Sequence, residues 1–368
     1  MSRQRKQSDD PALEQLRAKI DGIDQQIQAL ISERARVAKE VGELKGLTKK
    51  AEFYRPEREA RVLRAVAERN EGPLSNEEML RLFREIMSAC LAQEEPLKIA
   101  YLGPEGTFTQ SAVYTHFGHS VRALSMPTID EVFHEVESGV ADFGVTPVEN
   151  STEGSVNHTL DMFLTSPLKI CGEVELRIHQ HLLGRMNDLS EIKRVCSHSQ
   201  SLAQCRTWLA VNLPNAEKIT VSSNAEAARR ARDEDGTAAL AGEAAAELYN
   251  LNVLFANVED QGDNTTRFLV IGRDTFPPSG NDKTSLLVSA TSTTGPGVLH
   301  HLLGPLADNE ISMTRIESRP SRRRKWDYVF FVDIDGHADD ESVRQALAAM
   351  SETSDLFRIL GAYPKAVS

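Results

Sequence analysis

Apolar residues near the N-terminus recur in alternating steps of three and four: Leu13, Leu16, Ile20, Ile23, Ile27, Leu30, then Val37, Val41 and Leu44. This is a heptad seam along one helix face, with Arg34 standing where an apolar residue is due. A helix from Leu13 to Lys45 is roughly 50 Å long at 1.5 Å per residue. A stripe of that length exceeds what a small monomer covers, so the pattern predicts a partner chain. Pro56, at a first helical position, opens a second helix through about Asn70. Ser75 and Glu78 form a capping box for a third, Asn76 to about Gln93.

Beyond Gln93 the pattern changes. KIAYLG (98–103) is a short apolar run leading into GPEGTFT (103–109), a Gly-Pro-Gly turn followed by hydroxyls. Three further runs combine strand-like and polar stretches: DFGVTPVENSTEGSVNHTL (142–160), RVCSHSQSLAQC (194–205) and DNTTRFLVIG (263–272). Helical patterns such as SNAEAARRAR separate them. Such repetition predicts an α/β domain with ligand groups at strand ends, although any one such loop is ordinary helix capping. FPPSGNDK (276–283) reads as a linker. The strands TSLLVSA, ISMTRIES, WDYVFFVDID and DLFRILGAY, with helices GPGVLHHLLGPLAD and DESVRQALAAM, then follow in the βαββαβ order of ferredoxin-like domains.

Composition narrows the function classes. A chain of 368 residues implies two or three domains, and 40% hydrophobic with 26% charged residues is ordinary for a globular protein. The net charge of −12 disfavours nucleic acid as the main partner, and the basic hairpin SRRRK (321–325) reads as a solvated turn. All of that charge lies beyond residue 95, because residues 1–95 hold 18 basic and 18 acidic side chains; the helical segment is a domain of its own. The four cysteines lack CxxC spacing, which argues against a zinc ribbon or a disulfide scaffold. MSRQRKQSDD lacks the apolar core of a signal peptide, and no apolar run approaches the ~20 residues of a membrane span, so a cytoplasmic protein is expected. His179, His181 and His198 fit a half-exposed strand better than a metal site.

Arg34 has company along its helix. Lys45 lies eleven residues on, three turns, and so returns to nearly the same face. Arg17 flanks the seam but lies 28 residues from Lys45, roughly 42 Å along the axis. One small ligand cannot touch both in one chain, whereas an antiparallel partner would bring its Arg17 into this site. LRAKIDGIDQQIQALISERARVAKEVGELK followed by YRPERE resembles the all-helical chorismate mutase family, over roughly residues 10–95. The resemblance implies an intertwined dimer that binds the chorismate dianion through Arg17 of the other copy, Arg34, Lys45, Arg58 and Glu59. Cys90 and Glu94 stand where the better-known bacterial form has Ser and Gln, and Arg55 where it has Asp. Chorismate to prephenate is a pericyclic rearrangement, so the site need only hold the compact conformer and stabilise charge growing on the ether oxygen. Arg forks suit the two carboxylates. Lys45 and Glu94 are the expected donors to that oxygen. A carboxylate only accepts, so mutase activity is expected to need neutral Glu94 and to fall as pH rises.

GPEGTFT, PVENSTEG, SHSQSLAQC and TTRF, in that order, closely resemble prephenate dehydratase over roughly residues 97–275. The resemblance implies two lobes, like type II periplasmic binding proteins, around a cleft holding Glu149, Asn150, Ser197, Gln204, Thr266 and Arg267, with Thr107 lining it. Ser199 replaces a usual Pro. Prephenate loses its ring carboxylate as CO2 and its hydroxyl as water, and hydroxide needs help to leave. Thr266 is the residue expected to meet that hydroxyl. Arg267 is expected to clamp a carboxylate, and Asn150, Ser197 and Gln204 to orient the rest. GPGVL and ESRP resemble the ACT regulatory domain, which implies phenylalanine bound between paired domains at Gly295, Gly297, Val298, Leu299, Glu317, Ser318 and Arg319.

The three resemblances follow the order of the bifunctional chorismate mutase/prephenate dehydratase family. They imply a multidomain protein: an all-α mutase domain at 1–95, an α/β two-lobed domain at 96–275 and an α+β ferredoxin-like ACT domain at 284–368. The ligands are chorismate, prephenate and L-phenylalanine as feedback inhibitor. The assembly is a homodimer or larger, with no cofactor, metal, nucleic acid or membrane. Truncation before Lys283 is expected to leave dehydration intact but insensitive to phenylalanine. Two rivals remain: a helical domain kept only for dimerisation, against which its cations speak, and a non-enzymatic ligand sensor, against which Thr266-Arg267-Phe268 speaks.

Overall fold

The computed structural model describes residues 11–44, 54–93, 96–152, 154–290, 297–321 and 328–367. The helices come first: α1 (Pro11–Leu44), α2 (Pro56–Arg69) and α3 (Asn76–Leu91). Pro56 sits in the first turn of α2. At α3 the capping box forms, the Ser75 hydroxyl accepting from the Glu78 N–H while the Glu78 carboxylate accepts from the Ser75 N–H. Leu63, Val66 and Leu80 join α2 to α3. The α1 stripe stays open: Leu16 is 60% exposed, Ile20 57% and Leu30 64%.

The central domain is two lobes, each built on a mixed sheet. The first takes β1 (Lys98–Leu102), α4 (Phe108–Phe117), β2 (Arg122–Met126), α5 (Ile129–Glu137), β3 (Phe143–Asn150), β4 (Gly154–Ser155), α6 (Asn157–Met162) and β5 (Lys169–Arg177). The chain then crosses over to β6 (His181–Gly184), β7 (Arg194–Ser197), α7 (Ser199–Gln204), α8 (Arg206–Asn212) and β8 (Glu217–Thr220). The second lobe ends with α9 (Asn224–Asp233), β9 (Thr237–Ala241), α10 (Glu243–Tyr249) and β10 (Asn252–Phe255), and β11 (Thr265–Gly272) returns to the first sheet. The strand orders are β2-β1-β3-β11-β5 and β10-β6-β9-β7-β8. In each path two parallel pairs adjoin two antiparallel ones, in opposite order along the two lists, so the lobes repeat a single plan. Hydrogen bonds from Ile178 N–H to the Asn264 carbonyl and from Val258 N–H to the Gln180 carbonyl, both 2.8 Å, tie the two crossings together. His179 and Gln180 lie in the first crossing and not in a strand; the His179 ring is held 2.8 Å from Glu259. Among the described residues no group of His, Cys, Asp or Glu side chains could hold a metal ion, and no helix is long and apolar enough to cross a membrane.

The C-terminal domain is β12 (Asp282–Ala290), α11 (Val298–Asp308), β13 (Met313–Pro320), β14 (Tyr328–Asp335), α12 (Glu341–Glu352) and β15 (Ser354–Pro364), the expected βαββαβ order, in an antiparallel sheet β13-β14-β12-β15. Strand alternation buries both faces. Leu286, Val288, Val332 and Ile334 meet the two helices. Leu287, Phe331, Leu360 and Tyr363 form one core with Leu168, Ile170, Leu269 and Ile271 of the first lobe.

That shared core bears on two expectations. Residues 276–283 are not a loose linker: Phe276 and Ser279 are buried, and the Asp282 side chain accepts from the Ser279 and Gly280 amides. The C-terminal domain also packs directly on the first lobe. Burial of each such large side chain is worth about 1.5–3 kcal/mol, so truncation before Lys283 would strip the first lobe of several such contacts.

Candidate active sites

The cleft between the lobes is narrow. A Cβ on Gly242 would come within 2.7 Å of the Phe108 ring, and Gly106, at a φ of +81°, lies against Ala245 and Leu248. Gln204 reaches from the second lobe to the Thr152 hydroxyl at 3.5 Å, and Gln180 donates to its amide oxygen. Thr107 stands at the start of α4, its hydroxyl turned back to the Pro104 carbonyl. Strands β3 and β11 pair with Asn150 opposite Thr266, which makes the polar centre of the site. Asn150 Nδ2 donates to Thr266 Oγ1 at 2.8 Å and to Asn264 Oδ1 at 2.9 Å. Asn150 Oδ1 accepts from the Thr152 backbone N–H at 3.0 Å and from its hydroxyl at 2.6 Å. A backbone N–H can only donate, so it identifies the Asn150 oxygen and, with it, the nitrogen that faces Thr266. Thr266 Oγ1 therefore accepts. Its own proton has no acceptor among the described residues and remains available to a ligand.

Successive residues on a strand face opposite ways, and this separates residues that are neighbours in sequence. Arg267 points away from Thr266, into the seam with the C-terminal sheet. There its guanidinium meets Glu173 at 2.8 Å, Asp333 at 2.6 Å and the Tyr363 hydroxyl at 2.9 Å. Lys283 reaches Glu173 as well, at 2.7 Å. These charges hold Arg267 protonated against its burial. Glu149, beside Asn150, likewise turns to the seam and pairs with Arg315 at 2.9 Å. Ser197 is fully buried, its hydroxyl near the Leu240 carbonyl and the Asn224 amide oxygen. In this arrangement the side chains of Arg267 and Glu149 face the domain seam and that of Ser197 the lobe interior.

In the helical domain Glu59 on α2 is the perturbed group. Burial pushes its carboxyl up to about 7, with Arg84 and then Arg34 pulling the other way. Arg34 is half-buried, Arg58 and Arg17 lie on exposed positions and Cys90 is buried; Lys45 and Glu94 lie outside the described residues. Tyr54, which leads into α2, is buried in the core of the first lobe against Phe117 and Phe143, with its hydroxyl 2.7 Å from His116. Burial pushes the His116 ring down to about 3, with Arg84 adding to the effect, so the ring is neutral. In the C-terminal domain Gly297 takes a φ of +85° before α11, with half-buried Val298 and exposed Leu299 after it; Gly295 lies outside the described residues. Glu317 and Arg319 face the first lobe, accepting from Ser155 at 2.8 Å and pairing with Asp161 at 2.8 Å, while Ser318 is exposed.

Family comparison accounts for all three parts. Chorismate mutase type II matches residues 16–95, prephenate dehydratase 99–276 and the ACT domain 284–352. The bifunctional chorismate mutase/prephenate dehydratase of Stutzerimonas stutzeri is 55% identical over 96% of this chain and 98% of its own length. The chain belongs to that bifunctional family. Its Aquifex aeolicus member is 44% identical, over 96% of this chain and 98% of its own. A prephenate dehydratase of Arthrobacter aurescens, solved in complex with L-Phe, superposes with a TM-score of 0.67 at 35% identity, over 73% of this chain and 90% of that one.

Within this bifunctional enzyme the structure also brings in residues that the sequence did not single out. Asn264 sits two positions before Thr266 in DNTTRF but 114 residues from Asn150, and only strand pairing joins them. Arg84 lies 25 residues after Glu59, on the neighbouring helix. Neither carries a local signal, because what selects them is the packing of one element on another.

Proposed function

We propose that the chain runs two consecutive steps towards phenylalanine, at two separate sites, under control of its own end product. At the first, chorismate binds against α1 and α2, with Arg34, Lys45 and Arg58 meeting its carboxylates, Glu59 and Cys90 its ring side, and Arg17 supplied by the α1 of a second copy. The open stripe of α1 supports that antiparallel pairing. Lys45 and neutral Glu94 donate to the ether oxygen as it separates. This is electrostatic catalysis by preplaced donors, with no covalent partner.

At the second site prephenate lies in the interlobe cleft. The C–C bond to its ring carboxylate breaks to give CO2, and that electron pair expels the ring hydroxyl as the ring becomes aromatic. The Thr266 hydroxyl donates to the departing oxygen, and a proton completes water; phenylpyruvate remains. Asn150, Gln204 and Thr107 orient the substrate. The observation that carries this reading is the Asn150–Thr266 hydrogen bond, in which Thr266 accepts and so keeps its proton for the substrate. An amide donating to a hydroxyl oxygen also polarises the O–H and makes it a better donor.

Phenylalanine binds between paired C-terminal domains, at Gly295, Gly297, Val298 and Leu299, and near Glu317, Ser318 and Arg319. A cytoplasmic homodimer fits all three roles. The test feeds chorismate to the purified full chain and follows prephenate and phenylpyruvate, with and without phenylalanine. Both products should form, and phenylalanine should suppress the second. A chain that binds ligand and makes neither product is a sensor.

A further inference from the structure

Behind the Asn150–Thr266 pair lies Asn264, 2% exposed, at the end of the second crossing between the lobes. Its oxygen accepts from Asn150 Nδ2 at 2.9 Å and faces the Ser151 hydroxyl at 3.4 Å. The Ser151 oxygen itself accepts from the Thr265 backbone N–H at 3.0 Å, so its proton is free to point at Asn264. The Thr152 backbone N–H fixes the polarity at Asn150, and the Asn150 nitrogen in turn requires an acceptor at Asn264. Asn264 Nδ2 has no hydrogen-bond partner among the described residues. A buried donor left unmet is unfavourable, and it is tolerated here to keep the oxygen turned towards Asn150.

We infer that Asn264 is a positioning residue for dehydration, acting through Asn150 on the direction of the Thr266 proton. The inference rests on the dehydratase reading above. Both hydrogens of Asn150 Nδ2 are committed, one to Asn264 and one to Thr266. If the Asn150 amide turned over, its oxygen would face the Asn264 oxygen and repel it. In that orientation the Asn150 oxygen would also accept the Thr266 proton, and the group needed by the leaving hydroxyl would be occupied within the protein. Asn264 makes the turned-over amide unfavourable. Removing it lets the amide sample both orientations, and only one of them is productive.

The prediction separates positioning from packing. Asn264→Ala should lower dehydratase kcat by between about 10-fold and 100-fold, in the range of misplaced catalytic groups, with KM for prephenate within twofold. Mutase activity of the same preparation should not change, which checks folding in the same tube. Asn264→Asp keeps an acceptor facing Asn150 and should recover most of the rate. In an Asn150→Ala background the Asn264→Ala change should cost less than a further twofold, because the residue through which it acts is gone. Losses that multiply in the double variant would overturn the inference, as would a raised KM at unchanged kcat or an Asp variant as slow as the Ala variant. Should the parent enzyme fail to dehydrate prephenate, the dehydratase reading itself falls; a working parent matched by Asn264→Ala removes only the role of Asn264.

Discussion

The helical site and the interlobe cleft solve opposite problems. The cleft takes its polar centre from one chain: Asn150, Thr266 and Asn264 share committed hydrogen bonds, and the Thr152 backbone amide fixes their polarity. The helical site is open on one side, with a half-exposed apolar stripe along α1 and a half-buried carboxyl, Glu59, near cations. The chemistry accounts for the difference. A rearrangement that moves no proton needs charge at the right places, and cations from a second copy can supply it. A dehydration needs one proton pointed at one oxygen, which demands a rigid network.

The strongest way to break this comparison is to disable each site alone. Thr266→Ala should lower phenylpyruvate formation by about 10²-fold or more, the usual scale of an acid-base contribution, while chorismate consumption continues. Arg34→Ala should do the reverse. Loss of both activities in either folded variant would mean that the sites are not independent.

A second test concerns the open stripe. Glutamate at both Leu16 and Ile20 should prevent pairing of α1, giving monomers in sedimentation and a loss of mutase activity of about tenfold or more, since Arg17 of the second copy would be absent. Dehydratase activity should stay within twofold. A variant that remains dimeric with full mutase activity would place the dimer contact elsewhere.

Arg267 sharpens the contrast between catalytic and structural polar groups. Arg267→Met leaves Asp333 and Glu173 buried with less compensation, a change that costs about 3–5 kcal/mol where a buried pair loses one partner. Thermal unfolding should show it, with KM for prephenate little changed. A raised KM at unaltered stability would restore the substrate clamp that the sequence suggested.

The smallest effect is a pH dependence in the helical domain. The Glu59 carboxyl rises from an ordinary 4.5 to about 7 on folding. A group shifted upward opposes folding once it ionises: nothing is lost below pH 4.5, the cost grows between 4.5 and 7, and above 7 it is complete. Glu59→Gln should therefore melt a few degrees higher than the parent at pH 8 and no higher near pH 4.5. Equal melting at both values would mean that Glu59 is ionised in the folded helix pair.

Much of this was legible in the chain alone. The α1 seam, the Ser75 capping box, the βαββαβ order and the strand–polar loop runs are local patterns, and local patterns follow from helix and strand periodicity. Asn150 and Thr266 were legible as candidates in the same way, as an amide and a hydroxyl at strand ends. What the chain alone did not show is which way a given side chain faces. Alternation along β11 shows that Thr266 and Arg267 face opposite ways, but not which face meets the cleft and which meets another domain. The direction of Glu149 was hidden for the same reason. The burial of Ser197 was hidden because a hydroxyl can serve a buried hydrogen bond as readily as a ligand.

The sequence by itself determined the elements, their order and the chemical types available at their ends, because those depend on residues a few positions apart. The tertiary structure alone decided that 276–283 is packed and not loose, that Arg267 binds Asp333, and that Asn264 fixes Asn150. Each of these joins groups far apart along the chain, through a shared core or a strand pairing. The free energy that selects such contacts, apolar area removed from water and buried polar groups satisfied, exists only once the sheets have come together.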